Sequence, residues 1–170
     1  MEFFKELIDC ICRASSVAAL GPRFQILEDR VNFPLKDIEK NSRVGKVRGE
    51  IKCPSGAEHP PLSLASYLPA YMDRTKDARR YFASCEGHEP ERLFIANVKP
   101  YQPVTPSTLA KWLLKSMADA GIDTTSYRAH SARSAAASSL VRSGLSLPQI
   151  LQRANWSEKS RTFEIFYNRA

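Results

Sequence analysis

Apolar positions recur at helical spacing over much of the chain and alternate over one short part of it. Phe4, Leu7, Ile8 and Ile11 predict a helix over residues 2–20, closed by Gly21-Pro22. Between Asp29 and Pro54 the pattern changes: Val31, Phe33 and Leu35 alternate with Asn32 and Pro34, which reads as a strand. Pro34 confines that strand to an edge or marks a bend. DIEKNSR and VRGEIKCP read as two further strands, with a turn at Val44-Gly45-Lys46. SGAEHPP is a loop with His59 exposed. Leu64, Leu68, Tyr71 and Met72 predict a helix that Pro69 kinks or joins in its first turn. Asp73 to Pro90 is polar and charged and reads as a loop, and LFIANV reads as a buried strand or extended segment.

Helical signals dominate the rest. Thr105 is an N-cap with Pro106 at the first helical position. Leu109, Trp112, Leu113, Ser116 and Met117 make one face, with Trp112 a core residue, and Gly121 closes the helix. Asp123 to Arg128 links to an Ala-rich helix over 131–143, which Gly144 ends. Its small residues Ala132, Ala135, Ala136, Ala137 and Ser138 allow a close neighbour. Ser146 and Gln149 form a capping box for a helix ending near Asn155, and a last helix covers about 162–168. The expected fold is therefore α+β and mainly α, with a small three-stranded antiparallel sheet near residues 29–54, in one domain over 1–170.

Composition narrows the function. Charged residues make up 25% and hydrophobic ones 43% of the 170, ordinary for a folded chain. A net charge of +7 favours a polyanionic partner, although a basic domain with no such partner fits charge alone. From residue 111 onward nine Lys or Arg stand against four Asp or Glu, so the excess is concentrated toward the C-terminus. Cys10, Cys12, Cys53 and Cys85 include no CxxC pair and, with three scattered histidines, give no zinc spacing. Reduced thiols imply an intracellular setting, cytosolic or nuclear. No apolar run approaches the roughly 20 residues of a membrane span, and the first dozen residues have no basic leader region.

The candidate chemistry lies in the last forty-two residues. His130 and Arg133 are three apart in the Ala-rich helix and so share a face. Trp156 follows, then Tyr167 eleven residues later, each beyond a short helical segment. One His, one Arg, a Trp and a near-terminal Tyr suit attack by a phenol on a phosphodiester held by cations. The order His-x-x-Arg, Trp, Tyr resembles the C-terminal half of the catalytic domain of tyrosine recombinases, the phage-integrase family. The wording AHSAR…ILQRANWSEKSRTFEIFYNR is most similar to recombinases of DIRS-like and Crypton-type mobile elements. RASSVAAL resembles the family's first arginine motif, with Ser16 where the family commonly has an acid.

The resemblance implies a catalytic set of Arg13, Lys40, His130, Arg133, Trp156 and Tyr167. Tyr167 is the implied nucleophile and His130 its base or hydrogen-bond partner. Arg13 and Arg133 hold the non-bridging oxygens, a task suited to a planar guanidinium. Lys40 is the acid for the leaving oxygen by its place in the order of motifs, with Lys36, Lys46 and Lys52 as alternatives. Trp156 replaces a second His and can donate but not accept a proton. Arg43, Lys46, Lys111 and Lys115 are candidate DNA contacts, although a solvated face is the safer reading for either of the last two alone. The resemblance implies double-stranded DNA as partner, a homotetramer on DNA for the full-length form, and neither metal nor cofactor. Family members carry an N-terminal helical DNA clamp and a helix before the first arginine. This chain is expected to lack both and to bind DNA weakly on its own. Two other readings stay open: a catalytically inactive, element-derived DNA-binding module, and a helical interaction protein with an accidental motif.

Overall fold

A computed structural model of the chain describes residues 14–34, 50–55 and 63–153. In chain order the elements are α1 (Ala14–Ala18), β1 (Gln25–Ile26), β2 (Arg30–Pro34), β3 (Glu50–Pro54), α2 (Leu64–Arg74), α3 (Lys76–Glu86), α4 (Pro106–Asp119), α5 (Ala129–Arg142) and α6 (Leu147–Arg153). The expected α+β, mainly helical class is what is found. The sheet is three-stranded and antiparallel, in the order β1-β2-β3.

The alternation in β2 sets the sheet's two faces. Val31 and Phe33 are buried and pair with Cys53 and Ile51, also buried, so one face of the sheet enters the core. Two expectations change here. One strand, Gln25–Ile26, lies before the 29–54 window, while the DIEKNSR strand and the Val44-Gly45-Lys46 turn lie outside the described residues. Pro34 ends the central strand and not an edge strand. It is tolerated because β1 pairs only with Val31 and Asn32. Among the described residues, the strand at Pro34 has a neighbour on the β3 side alone, which makes that end a local edge.

Two serines stitch the sheet to α2. Ser55 Oγ donates to the Glu28 carbonyl at 2.8 Å, and Ser63 Oγ donates to the Ser55 carbonyl at 3.2 Å. Ser63 also caps α2, accepting from the Ser66 N–H. Pro69 lies at the sixth position of α2, past the first turn. An internal proline costs about 3 kcal/mol. Burying Leu64 and Leu68 returns about 1.5–3 kcal/mol each, so tertiary packing carries the helix through the proline.

The stretch read as a loop over 73–90 contains the helix α3. Its inward stripe is Thr75, Ala78, Arg79, Phe82 and Ala83, and only Phe82 is a large apolar residue. The helical period is present, but an arginine occupies its centre. The N-terminal helix is described only from Ala14, and His59 lies outside the described residues.

The segment Arg92–Ile95 joins the parts. The Leu93 N–H donates to the Leu20 carbonyl at 2.7 Å, and Arg92 Nη1 donates to the Ala19 carbonyl at 2.7 Å. Both bonds hold the C-terminal end of α1. On the other side, the Val104 N–H donates to the Phe94 carbonyl, just before the α4 cap. As expected, this segment is extended and buried, with a single bridge from Ile95 to Pro103. The main core unites α1, the sheet, α2, this segment and α4, with Trp112 packed on it. A second, smaller core lies between α5 and α6 around Ala137, Ile150 and Leu151.

Candidate functional site

The His-x-x-Arg pair stands at the start of α5. Thr105 and Pro106 begin α4 as expected, the Thr105 side chain accepting from the Thr108 N–H at 3.2 Å. Gly121, at φ 78, follows the end of α4, and Gly144, at φ 79, follows α5. Only glycine takes such angles without strain. A nine-residue connection from Ala120 to Arg128 then leads into α5.

Hydrogen bonds shape that connection. Asp123 Oδ1 accepts from the Thr125 N–H at 2.9 Å and the Thr125 hydroxyl at 2.6 Å, and Oδ2 accepts from the Ser126 hydroxyl at 2.6 Å. The Tyr127 N–H donates to the Asp123 carbonyl at 2.9 Å. At the helix start the Ser131 hydroxyl accepts from the Arg128 N–H at 3.1 Å. The Ser126 hydroxyl, the Thr125 hydroxyl and the Thr125 N–H together hold the Asp123 carboxyl down to about 2. A folded-state value below the unfolded one means that the turn is favoured above pH 4 and loosened as pH falls from about 4 toward 2. A carboxyl-carbon NMR titration is expected to give a midpoint near 2, and Ser126→Ala is expected to move it upward. A midpoint near 4 in the unsubstituted chain would contradict the geometry.

His130 and Arg133 are the second and fifth residues of α5. Three residues of continuous helix put them on one face, about 4.5 Å apart along the axis. Arg133 is 5% exposed, at the start of the stripe that continues through Ala137 at 0%. Among the described residues the buried polar side chains are Ser55, Ser63, Arg79 and Arg133. Ser55, Ser63 and Arg79 donate to main-chain carbonyls that tie elements together. The small residues of α5 are used as expected, with Ala136 and Ala137 packed against Ile150 and Leu151 of α6. Gln149 Oε1 accepts from the Ser146 N–H at 2.9 Å, as in a capping box, but also receives the Ser146 hydroxyl at 2.7 Å. The reciprocal half of the box is therefore replaced.

Helix packing connects the proposed pieces. α1 packs on α4, α4 on α5, and α5 on α6. The chain directly after Arg13 is thus joined to the His130–Arg133 helix through α4, and α6 ends three residues before Trp156. Arg13, Lys40, Trp156, Tyr167, Arg43, Lys46 and the His130 imidazole lie outside the described residues. Lys111 and Lys115 are exposed on α4, and Lys115 pairs with Asp119 at 3.0 Å. A pair with its lysine side chain 70% exposed contributes little to stability. Lys52, one alternative to Lys40, pairs with Glu50 at 2.9 Å. Cys53 is buried and Cys85 exposed.

Sequence reasoning passed over Asp123 and Arg92. Asp123 had a legible signal, since an Asp followed at two and three residues by Thr and Ser is turn chemistry. Arg92 had none, because its acceptor lies 73 residues away. Among the described residues no three His, Cys, Asp or Glu could hold a metal ion, and no helix is long and apolar enough to cross a membrane.

Among proteins of curated function, no significantly similar sequence was found. Residues 28–170, by contrast, match the phage integrase family over most of the chain, from just before β2 through α6 and the proposed tyrosine. A match of that extent removes the reading of an accidental motif, and the chain belongs to the phage integrase family.

Proposed function

We propose that this chain is a DNA tyrosine recombinase that cuts and rejoins strands through a covalent phosphotyrosine. The observation that carries the proposal is the buried Arg133, three residues after His130 on a continuous helix, within the span matched to the integrase family. Tyr167 is the nucleophile. Its phenol oxygen attacks the scissile phosphorus, a phosphorus–tyrosine bond forms, and the bond to the 5′-oxygen breaks. His130 takes the phenol proton and Lys40 supplies one to the leaving 5′-oxygen. Arg13, Arg133 and the Trp156 indole N–H stabilise the charge on the non-bridging oxygens. A 5′-hydroxyl of another strand then reverses the sequence, and the broken bond's energy is conserved in the linkage.

The finer reading is a catalytic domain over 1–170 from a mobile element of the DIRS-like or Crypton type, working on double-stranded DNA as a homotetramer, in the nucleus of a eukaryotic host. Arg43, Lys46, Lys111 and Lys115 supply phosphate contacts. Ser16, a half-buried residue of α1 where the family commonly has an acid, favours a second reading, an inactive DNA-binding module.

The test is incubation of the chain with nicked suicide duplex DNA followed by a denaturing gel. A covalent protein–DNA band that disappears in Tyr167→Phe is expected. A gel shift without a covalent band from the unsubstituted chain would leave the DNA-binding module as the answer.

A further inference from the structure

We propose that Asp123 is a positioning residue for the His130–Arg133 face. This rests on the recombinase reading above. Met117, near the end of α4, and Arg133 are both buried, but no described side chain between them is. Tyr127 is 54% exposed, and Asp123, Thr125, Ser126 and Arg128 are also exposed. Among the described residues, no buried apolar side chain of the connection anchors the start of α5.

Hydrogen bonds do. The Ile122 N–H donates to the Met117 carbonyl at 2.9 Å, which ties the connection to α4. Asp123 follows at once and closes its turn with three side-chain acceptances and one main-chain acceptance. The turn delivers Arg128, whose N–H and carbonyl both bond to Ser131. His130 directly precedes Ser131, and Arg133 lies two residues after it. One exposed carboxylate thus fixes the path from the end of one helix to the functional face of the next. A displacement of about 1 Å at a reacting group can cost up to about 10²-fold in rate.

Charge and placement predict opposite effects on DNA. Removing one negative charge from a DNA-binding chain would by itself tighten the complex. Removing it for reasons of placement should slow the chemistry.

The experiment compares Asp123→Ala and Asp123→Asn with the unsubstituted chain. It measures single-turnover adduct formation at saturating nicked DNA and amide hydrogen exchange at Thr125, Tyr127 and Ser131. Asn keeps one carbonyl acceptor for Thr125 and loses the charge. Asp123→Ala is expected to slow adduct formation about 10-fold and to speed exchange at Ser131, while Asp123→Asn recovers most of both. Adduct formation by Asp123→Ala within twofold of the unsubstituted chain, with Ser131 exchange unchanged, overturns the proposal. So does an Asp123→Asn variant as slow as Asp123→Ala but with undisturbed exchange, since the slowing would then not follow the placement of the helix start. If the unsubstituted chain forms no adduct, the recombinase reading fails. Exchange at Ser131 then decides alone whether Asp123 sets the start of the helix.

Discussion

Arg133→Lys is expected to slow covalent adduct formation on nicked DNA by about 10²-fold, and Arg133→Ala by about 10²–10³-fold, the usual cost of removing a preorganised donor from a developing oxyanion. Retaining the positive charge should help little. A guanidinium offers donors in a flat fork and is weakly hydrated, whereas an ammonium is a strongly hydrated point charge. At 5% exposure, Arg133 occupies a place where hydration is largely stripped away. The lysine variant therefore carries a desolvation penalty without bidentate geometry in return. DNA affinity is a separate quantity. It is set by the sum of phosphate contacts, and the chain keeps a large positive excess after one substitution. Single-turnover rates at saturating DNA and a salt titration of binding separate the two. The expected result is a slow enzyme whose salt dependence changes by no more than one contact. Adduct formation by Arg133→Lys within threefold of the unsubstituted chain would remove Arg133 from the proposed machinery.

How much of this was legible in the sequence depends on the physics of each element. α4 was legible because every local signal agrees: a Thr-Pro cap, a helical apolar face and a closing glycine. α5 and β2 were legible for the same reason, one by a run of small residues closed by Gly144, the other by strict alternation. α3 was not, because its central inward residue is an arginine, and patterning treats an arginine as facing solvent. β1 was not, because two exposed residues carry no alternation at all. For the candidate site, one helix was enough to place His130 and Arg133 on one face. The means of holding that face were less visible. The Asp123 turn has a local signature, but the Arg92 bond to α1 joins residues that only the fold brings together.

The same reasoning makes Arg79 the most consequential structural side chain among the described residues. Its Nη2 donates to the Leu93 carbonyl, its Nη1 to the Arg92 carbonyl at 3.3 Å, and its Nε to the Thr75 hydroxyl at 3.1 Å. Its guanidinium lies 6.0 Å from the centre of the Tyr71 ring, and the Tyr71 hydroxyl accepts from the Ile95 N–H at 3.2 Å. Burial pushes the Arg79 guanidinium down and the Tyr71 phenol up; the neighbouring groups offset each shift in part. Desolvating the cation is thus a cost that the carbonyl bonds must outweigh. Arg79→Met removes that cost but takes the guanidinium donors from two carbonyls, and a buried acceptor deprived of its partner costs about 1–3 kcal/mol. Arg79→Ala adds a cavity beside the Tyr71 ring. The expected loss is about 2 kcal/mol for Met and about 3 kcal/mol or more for Ala. In a chain of this size, 3 kcal/mol corresponds to a melting temperature lower by about 6–12 °C. The damage should also be directional. Arg92 and Leu93 are the residues that hold Ala19 and Leu20 at the end of α1. The Leu93 amide should therefore lose exchange protection in Arg79→Met before the amides of α4 do. Thermal unfolding with residue-resolved exchange tests both parts. A melting temperature within 2 °C of the unsubstituted chain, or uniform loss of protection across α4 and the 92–95 segment, would show that the arginine fills space and does not fasten α1 in place.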